Sequence, residues 1–131
     1  MIKTSVLTSL ISFILTFQKE CNSNNTTQKA GCYKGKLEIK GICSNYTITV
    51  LEGRLDSSKI SKNWTDENTN KTYSNVFALD SPCSFPADIE QGDEFYFTIR
   101  EEKDKDCNVC MAYYPTPPKR LSIMVSKTAC P

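Results

Sequence analysis

Seven cysteines in a chain of 131 residues constrain this protein more than any other feature. Small exported domains with thin cores are commonly closed by disulfides, because burial alone does not offset the entropy of ordering the chain. The core is thin here: 39% of the residues are hydrophobic, and part of that share sits in the first twenty-three. Histidine is absent. Its absence removes Ser-His-Asp and Cys-His hydrolases, His-ligated zinc and iron, and pH switching by imidazole.

Residues 1–23 read as a secretory signal. Lys3 supplies a basic start, and Val6, Leu7, Leu10, Ile11, Phe13, Ile14, Leu15 and Phe17 form an apolar run too short to span a bilayer. The small-x-small pattern at Cys21-Asn22-Ser23 places cleavage before Asn24. The mature chain, 24–131, is then a single domain with six cysteines, Cys32, Cys43, Cys83, Cys107, Cys110 and Cys130, an even set that closes three bridges. Earlier cleavage retains Cys21 and leaves an odd cysteine, which points to a free thiol or to a covalent dimer in place of a monomer. Asn-x-Thr acceptors at Asn24, Asn25, Asn45, Asn63 and Asn70 point the same way, to a glycosylated extracellular protein.

Removing residues 1–23 takes away Lys3, Lys19 and Glu20 and leaves equal numbers of acidic and basic residues. No basic stripe exists to meet nucleic-acid phosphates, and no further apolar stretch or lipidation motif supplies a membrane anchor.

Residues 24–31 are polar and without period, a flexible lead-in. Strand patterns follow. Leu37 and Ile39 alternate within 36–40, and Tyr46, Ile48 and Val50 share one face of 46–51. Residues 55–64, with Asp56 placed as a cap, are the one stretch with a helical reading. Residues 65–75 read as a polar loop before a short strand at 76–79. Phe95, Phe97 and Ile99 mark a core-facing strand over 94–100, introduced by the Gln91-Gly92-Asp93 turn. Residues 101–106 read as a solvated hairpin tip, 109–114 as the return strand, and 120–126 as a final strand with Leu121, Ile123 and Val125 inward. The expectation is an all-β fold, a small disulfide-stabilised antiparallel barrel (OB-like) or sandwich of about six strands with at most one short helix.

Chemistry-bearing constellations are few. Cys107-Asn108-Val109-Cys110 lacks the second ligand pair of a zinc site and the helix start of a redox pair. Cysteines three apart on extended chain face opposite ways, which suits bonds to two different partners. The acidic residues Glu90, Asp93, Glu94, Glu101, Glu102, Asp104 and Asp106 lack calcium-loop offsets, and a glycosidase would need a pair such as Asp93 with Glu101. No enzyme, cofactor or metal is expected. Pro115-Thr116-Pro117-Pro118 reads as a stiff connection, and Tyr113, Tyr114 and Pro117 form the expected binding patch. Trp64, beside Asn63, is the other large apolar residue in polar context, and a glycan there is expected to block its use in binding.

The strand at 45–51 running into Gly53, then Val76 to Asp80, then Cys83, and then Ile89, Gly92 and Phe95 leading into a strand, together resemble the netrin-like domain of tissue inhibitors of metalloproteinases. The resemblance covers about half the mature chain and implies an OB-like β-barrel. It also implies metalloproteinase inhibition as an alternative to a plain extracellular protein-binding module or ligand. In that family an amino-terminal Cys-x-Cys places a free amine on the catalytic zinc. Here Cys21-Asn22-Ser23 has serine where the second cysteine belongs.

Overall fold

The computed structural model describes residues 31–129. The leader, Cys21, the acceptors Asn24 and Asn25, most of the lead-in, and Cys130 lie outside the described residues. Six strands follow in order: β1 (Cys32–Lys40), β2 (Tyr46–Glu52), β3 (Ser61–Thr65), β4 (Thr72–Leu79), β5 (Glu94–Arg100) and β6 (Arg120–Ser126). Two short 3₁₀ turns, Ile42–Ser44 and Pro82–Ser84, are the only helical pieces among the described residues.

Hydrogen bonding runs β2-β1-β5-β6-β4-β3, and a further β2–β4 pairing closes β1, β2, β4, β6 and β5 into a ring. The ring is an OB-like barrel, with β3 added outside β4. Closure removes the edges that an open sheet of this size would leave. One seam departs from the expected antiparallel pattern: β4 and β6 are parallel, with Ala78 beside Arg120 and Leu79 beside Leu121. These strands are not chain neighbours, since β5 lies between them in sequence. Beyond the end of β4 the seam is continued by a side chain. Buried Ser81 donates from Oγ to the Ile123 carbonyl at 3.2 Å and accepts from the Ile123 amide at 2.9 Å. A hydroxyl thus satisfies two backbone groups that would otherwise be orphaned in the core.

Inward alternation builds the interior. Leu37, Ile48, Phe77, Leu79, Phe95, Phe97 and Ile123 are each at most 3% exposed. Phe97 lies at the centre, its ring 5.4 Å from Tyr33, 5.7 Å from Phe77 and 6.2 Å from Phe95. Gly35 is the concession to it: a Cβ there would stand 2.9 Å from the Phe97 ring and 3.2 Å from Ile48.

Three expected elements differ. Residues 55–64 form no helix; Asp56 Oδ1 accepts the Ser58 amide at 2.8 Å in a local turn, and β3 follows. The expected 65–75 loop shrinks to the turn over 66–71, and its two ends are strand, because Asn63 with Ser74 and Thr65 with Thr72 form polar cross-strand pairs that hydrophobic alternation does not reveal. Residues 109–114 pair with no strand, since Cys107 and Cys110 pull this segment sideways to two different places.

Candidate functional site

The β1–β2 loop and the long β5–β6 connection, residues 101–119, meet over one end of the barrel. The stagger of a closed five-strand ring brings the beginnings of β2 and β6 close to the end of β4. Cys43 and Cys110 bond across the two loops with their Cα atoms 4.9 Å apart. Cys83 and Cys107 bond the connection to the second 3₁₀ turn, Cα to Cα 5.7 Å. The two cysteines of the Cys-x-x-Cys thus have separate partners. Cys32 is disulfide-bonded as well.

Packing completes the junction. Gly41 has no room for a side chain, since a Cβ would lie 2.5 Å from the Asn45 carbonyl oxygen and 2.8 Å from the Tyr114 ring. The Tyr114 ring therefore packs against Gly41. Asn45 Nδ2 donates to the Ile42 carbonyl at 2.8 Å and to the Ala112 carbonyl at 3.4 Å, one acceptor in each loop. Cys43 and Ser44 both take left-handed backbone, φ 54° and 57°. That conformation turns the loop sharply and costs energy at non-glycine residues, so the bridge and the packing must hold it.

Of the patch expected from sequence, Tyr113 is 78% exposed, Tyr114 is half-buried against Gly41, and Pro117 is fully buried. Pro117 is thus no part of any surface. The side chains exposed beside Tyr113 are instead Met111 at 96%, Ile42 at 59% and Val109 at 39%. Sequence reading missed these three. The Cys43–Cys110 bond helps close their separation of about seventy positions, and spacing does not specify that pairing. A cleft of about 370 Å³ opens beside them, lined by Asn45, Leu79, Pro82, Met111, Tyr114 and Arg120 among others.

The run 101–106 is solvated as expected except at Asp104. Asp104 keeps 8% of its side chain exposed, accepts the Cys83 and Ser84 amides at 2.9 and 3.0 Å, and pairs with Arg100 at 3.2 Å. Burial pushes its carboxyl up, but the hydrogen bonds from Ser84 and Cys83 and the Arg100 charge outweigh that, and the net effect holds it below the usual carboxylate range. A depressed folded pKa contributes stability that is fully present above the unfolded value of about 3.9 and is lost as pH falls through the folded value. Denaturation of the wild type and Asp104→Asn checks this: a stability gap constant above about pH 5 and closing below about pH 4 is expected. A gap that persists in acid would assign the residue a purely steric role.

The carboxylate pair named for a glycosidase does not form. Asp93 and Glu101 stand at opposite ends of β5, about 26 Å apart by strand rise, too far to act as a carboxylate pair. Ligand atoms of Cys83, Asp104 and Cys107 lie within 4.8 Å of one another, but the two sulfurs are bonded to each other and offer no thiolate to a metal. Trp64 stacks on Tyr73 at 6.0 Å, on the hairpin face opposite Asn63, so a glycan on Asn63 would leave that face open.

The fold and this junction define a disulfide-closed OB-like β-barrel with an apolar loop cap. Compared with known protein families, with curated proteins and with solved structures, the chain matches none.

Proposed function

We propose that this protein is a secreted, N-glycosylated, non-enzymatic module that binds another extracellular protein through the cap formed by the β1–β2 loop and the β5–β6 connection. The observation that carries the reading is the cap itself. Ile42, Val109, Met111 and Tyr113 stand exposed on loops fixed by a disulfide, the contact of half-buried Tyr114 with Gly41 and a shared asparagine. Large apolar and aromatic side chains on rigid loops bind with little loss of conformational entropy, and residues of this kind dominate interface energetics. The disulfides agree with an oxidising compartment, and no helix among the described residues is long and apolar enough to cross a membrane.

Saturable binding of the labelled, secreted protein to the surface of intact cells from its source tests the reading. Met111→Ser with Tyr113→Ser is expected to weaken competition for that binding at least tenfold while leaving thermal stability unchanged, because both residues are exposed. Met124→Ser, exposed on β6, is the control and should compete like the wild type. Equal competition by all three proteins would rule out the cap as the binding surface.

A second reading, a netrin-like metalloproteinase inhibitor, draws support from the OB-like ring, the architecture that the resemblance implies. Its test is nanomolar inhibition of a zinc protease by a chain starting at Cys21, lost when one residue is added in front. No inhibition by that chain would dismiss it.

A further inference from the structure

Three acceptor asparagines fall on described residues, and their surroundings differ. Asn63 and Asn70 both belong to the β3–β4 hairpin. Asn63 is exposed, its Oδ1 accepts the Ser74 hydroxyl at 3.2 Å, and no group among the described residues engages its Nδ2. The threonine of its acceptor triplet, Thr65, is exposed two positions on, along the same face of β3. Asn70 is exposed near the turn in left-handed backbone, φ 57°, a conformation asparagine tolerates, and its side chain is likewise unengaged. Thr72 is exposed as well.

Asn45 is built in. Its Nδ2 is shared between the carbonyls of Ile42 and Ala112, at 2.8 and 3.4 Å, and an N-glycosidic bond would consume one of the two hydrogens that make those bonds. A sugar on Nδ2 would have to enter the gap between two loops whose cysteines, Cys43 and Cys110, lie 4.9 Å apart at Cα. Its partner threonine, Thr47, is fully buried beside Ala78.

From these contrasts we propose that Asn63 and Asn70 carry N-glycans and that Asn45 does not, because a glycan on Asn45 and a closed Cys43–Cys110 bridge exclude each other. The inference rests on the reading of the chain as exported through a glycosylating pathway. The sugar is transferred while the chain is still unfolded, so all three acceptors are offered. Closure of the cap then decides the outcome at Asn45: a molecule glycosylated there keeps the bridge open and does not reach the folded state. Glycans on the hairpin have a further consequence. Among the described residues β3 pairs only with β4, and a sugar at Asn63 obstructs pairing of its other edge with another chain. The cap is left bare.

Glycopeptide mass spectrometry of the full chain from glycosylating eukaryotic cells tests this, with the chain made once behind its own leader and once behind an unrelated one. Two modified asparagines are expected in the tryptic peptide 63–71, and none in the peptide 41–54 of molecules whose Cys43–Cys110 bridge is closed. Opening the bridge with Cys43→Ser and Cys110→Ser together should raise occupancy at Asn45 several-fold. Asn45 modified in bridged molecules, unmodified Asn63 and Asn70, or no rise in the double variant would each overturn the proposal. The two leaders separate this failure from the other. The expected pattern behind the foreign leader, with no secretion behind the chain's own, refutes export and leaves the glycan assignment standing. Secretion behind its own leader with Asn45 modified does the reverse.

Discussion

Replacing Cys43 and Cys110 together by serine is expected to destabilise the protein by about 4 kcal/mol. The bridge closes a loop with a sequence separation of 67. Cys83–Cys107 lies within that loop and spans 24, so the effective loop is shorter, but closure entropy depends on the logarithm of length and the cost barely changes. For a domain of this size the loss lowers the thermal midpoint by on the order of 15 to 25 °C. Calorimetry of the two proteins measures it. The same substitution should loosen the β1–β2 loop at its left-handed turn, Cys43 and Ser44, since the bridge is the covalent tie on that conformation. Limited proteolysis at residues 101–114 should then be much faster than in the wild type. A midpoint within a few degrees of the wild type would mean that Tyr114 on Gly41 and the Asn45 bonds suffice to hold the cap.

The second large effect lies at the barrel's centre. Phe97→Ala removes a ring packed against Tyr33, Phe77 and Phe95, and should cost about 4 kcal/mol through lost burial and the cavity left behind. Against a net stability of about 5 to 15 kcal/mol, a barrel that loses this ring is barely folded. Gly35 supplies an internal check. In the wild type Gly35→Ala drives a methyl to within 2.9 Å of the Phe97 ring and is destabilising; in a Phe97→Leu background the smaller side chain makes room. Urea denaturation of the four proteins in this cycle should give a coupling of about 1 to 2 kcal/mol. Additive costs would show that the strand backbone shifts to accommodate the methyl.

The sequence reading succeeded where a strand has one apolar and one polar face. β5 and β6 run over Glu94–Arg100 and Arg120–Ser126, as their alternation indicates, because each turns one face into the ring. β1 begins four residues earlier than expected, since Gly35 interrupts the alternation to admit Phe97. β3 was invisible for a different reason: it sits outside the ring, and its pairs across to β4 are Asn63 with Ser74 and Thr65 with Thr72. A polar strand on a polar strand carries no hydrophobic period.

The cap was half legible. Tyr113 stood out as an aromatic beside a proline run, and it is exposed. Pro117 shared that context and is buried, because the connection folds inward at alternate residues, Pro115 and Pro117, without forming a strand. Ile42 is brought to the segment of Val109, Met111 and Tyr113 by contacts between distant loops, chief among them the pairing of Cys43 with Cys110, and six cysteines do not reveal their pairing by spacing. Asp104 was hidden by its neighbours: in a run of mixed charge nothing marks the one carboxylate that turns inward to Arg100 and two amides.

The account turns on an exported barrel whose cap is locked by a bond from Cys43 to Cys110. The most direct measurement is a non-reduced peptide map, with thiol labelling, of the protein secreted behind its own leader. The account predicts no labelled thiol on Cys43, Cys83, Cys107 or Cys110, one linked pair joining Cys43 to Cys110, and another joining Cys83 to Cys107. A chain retained in the cell with these thiols free, or a bond between Cys107 and Cys110 themselves, would contradict it.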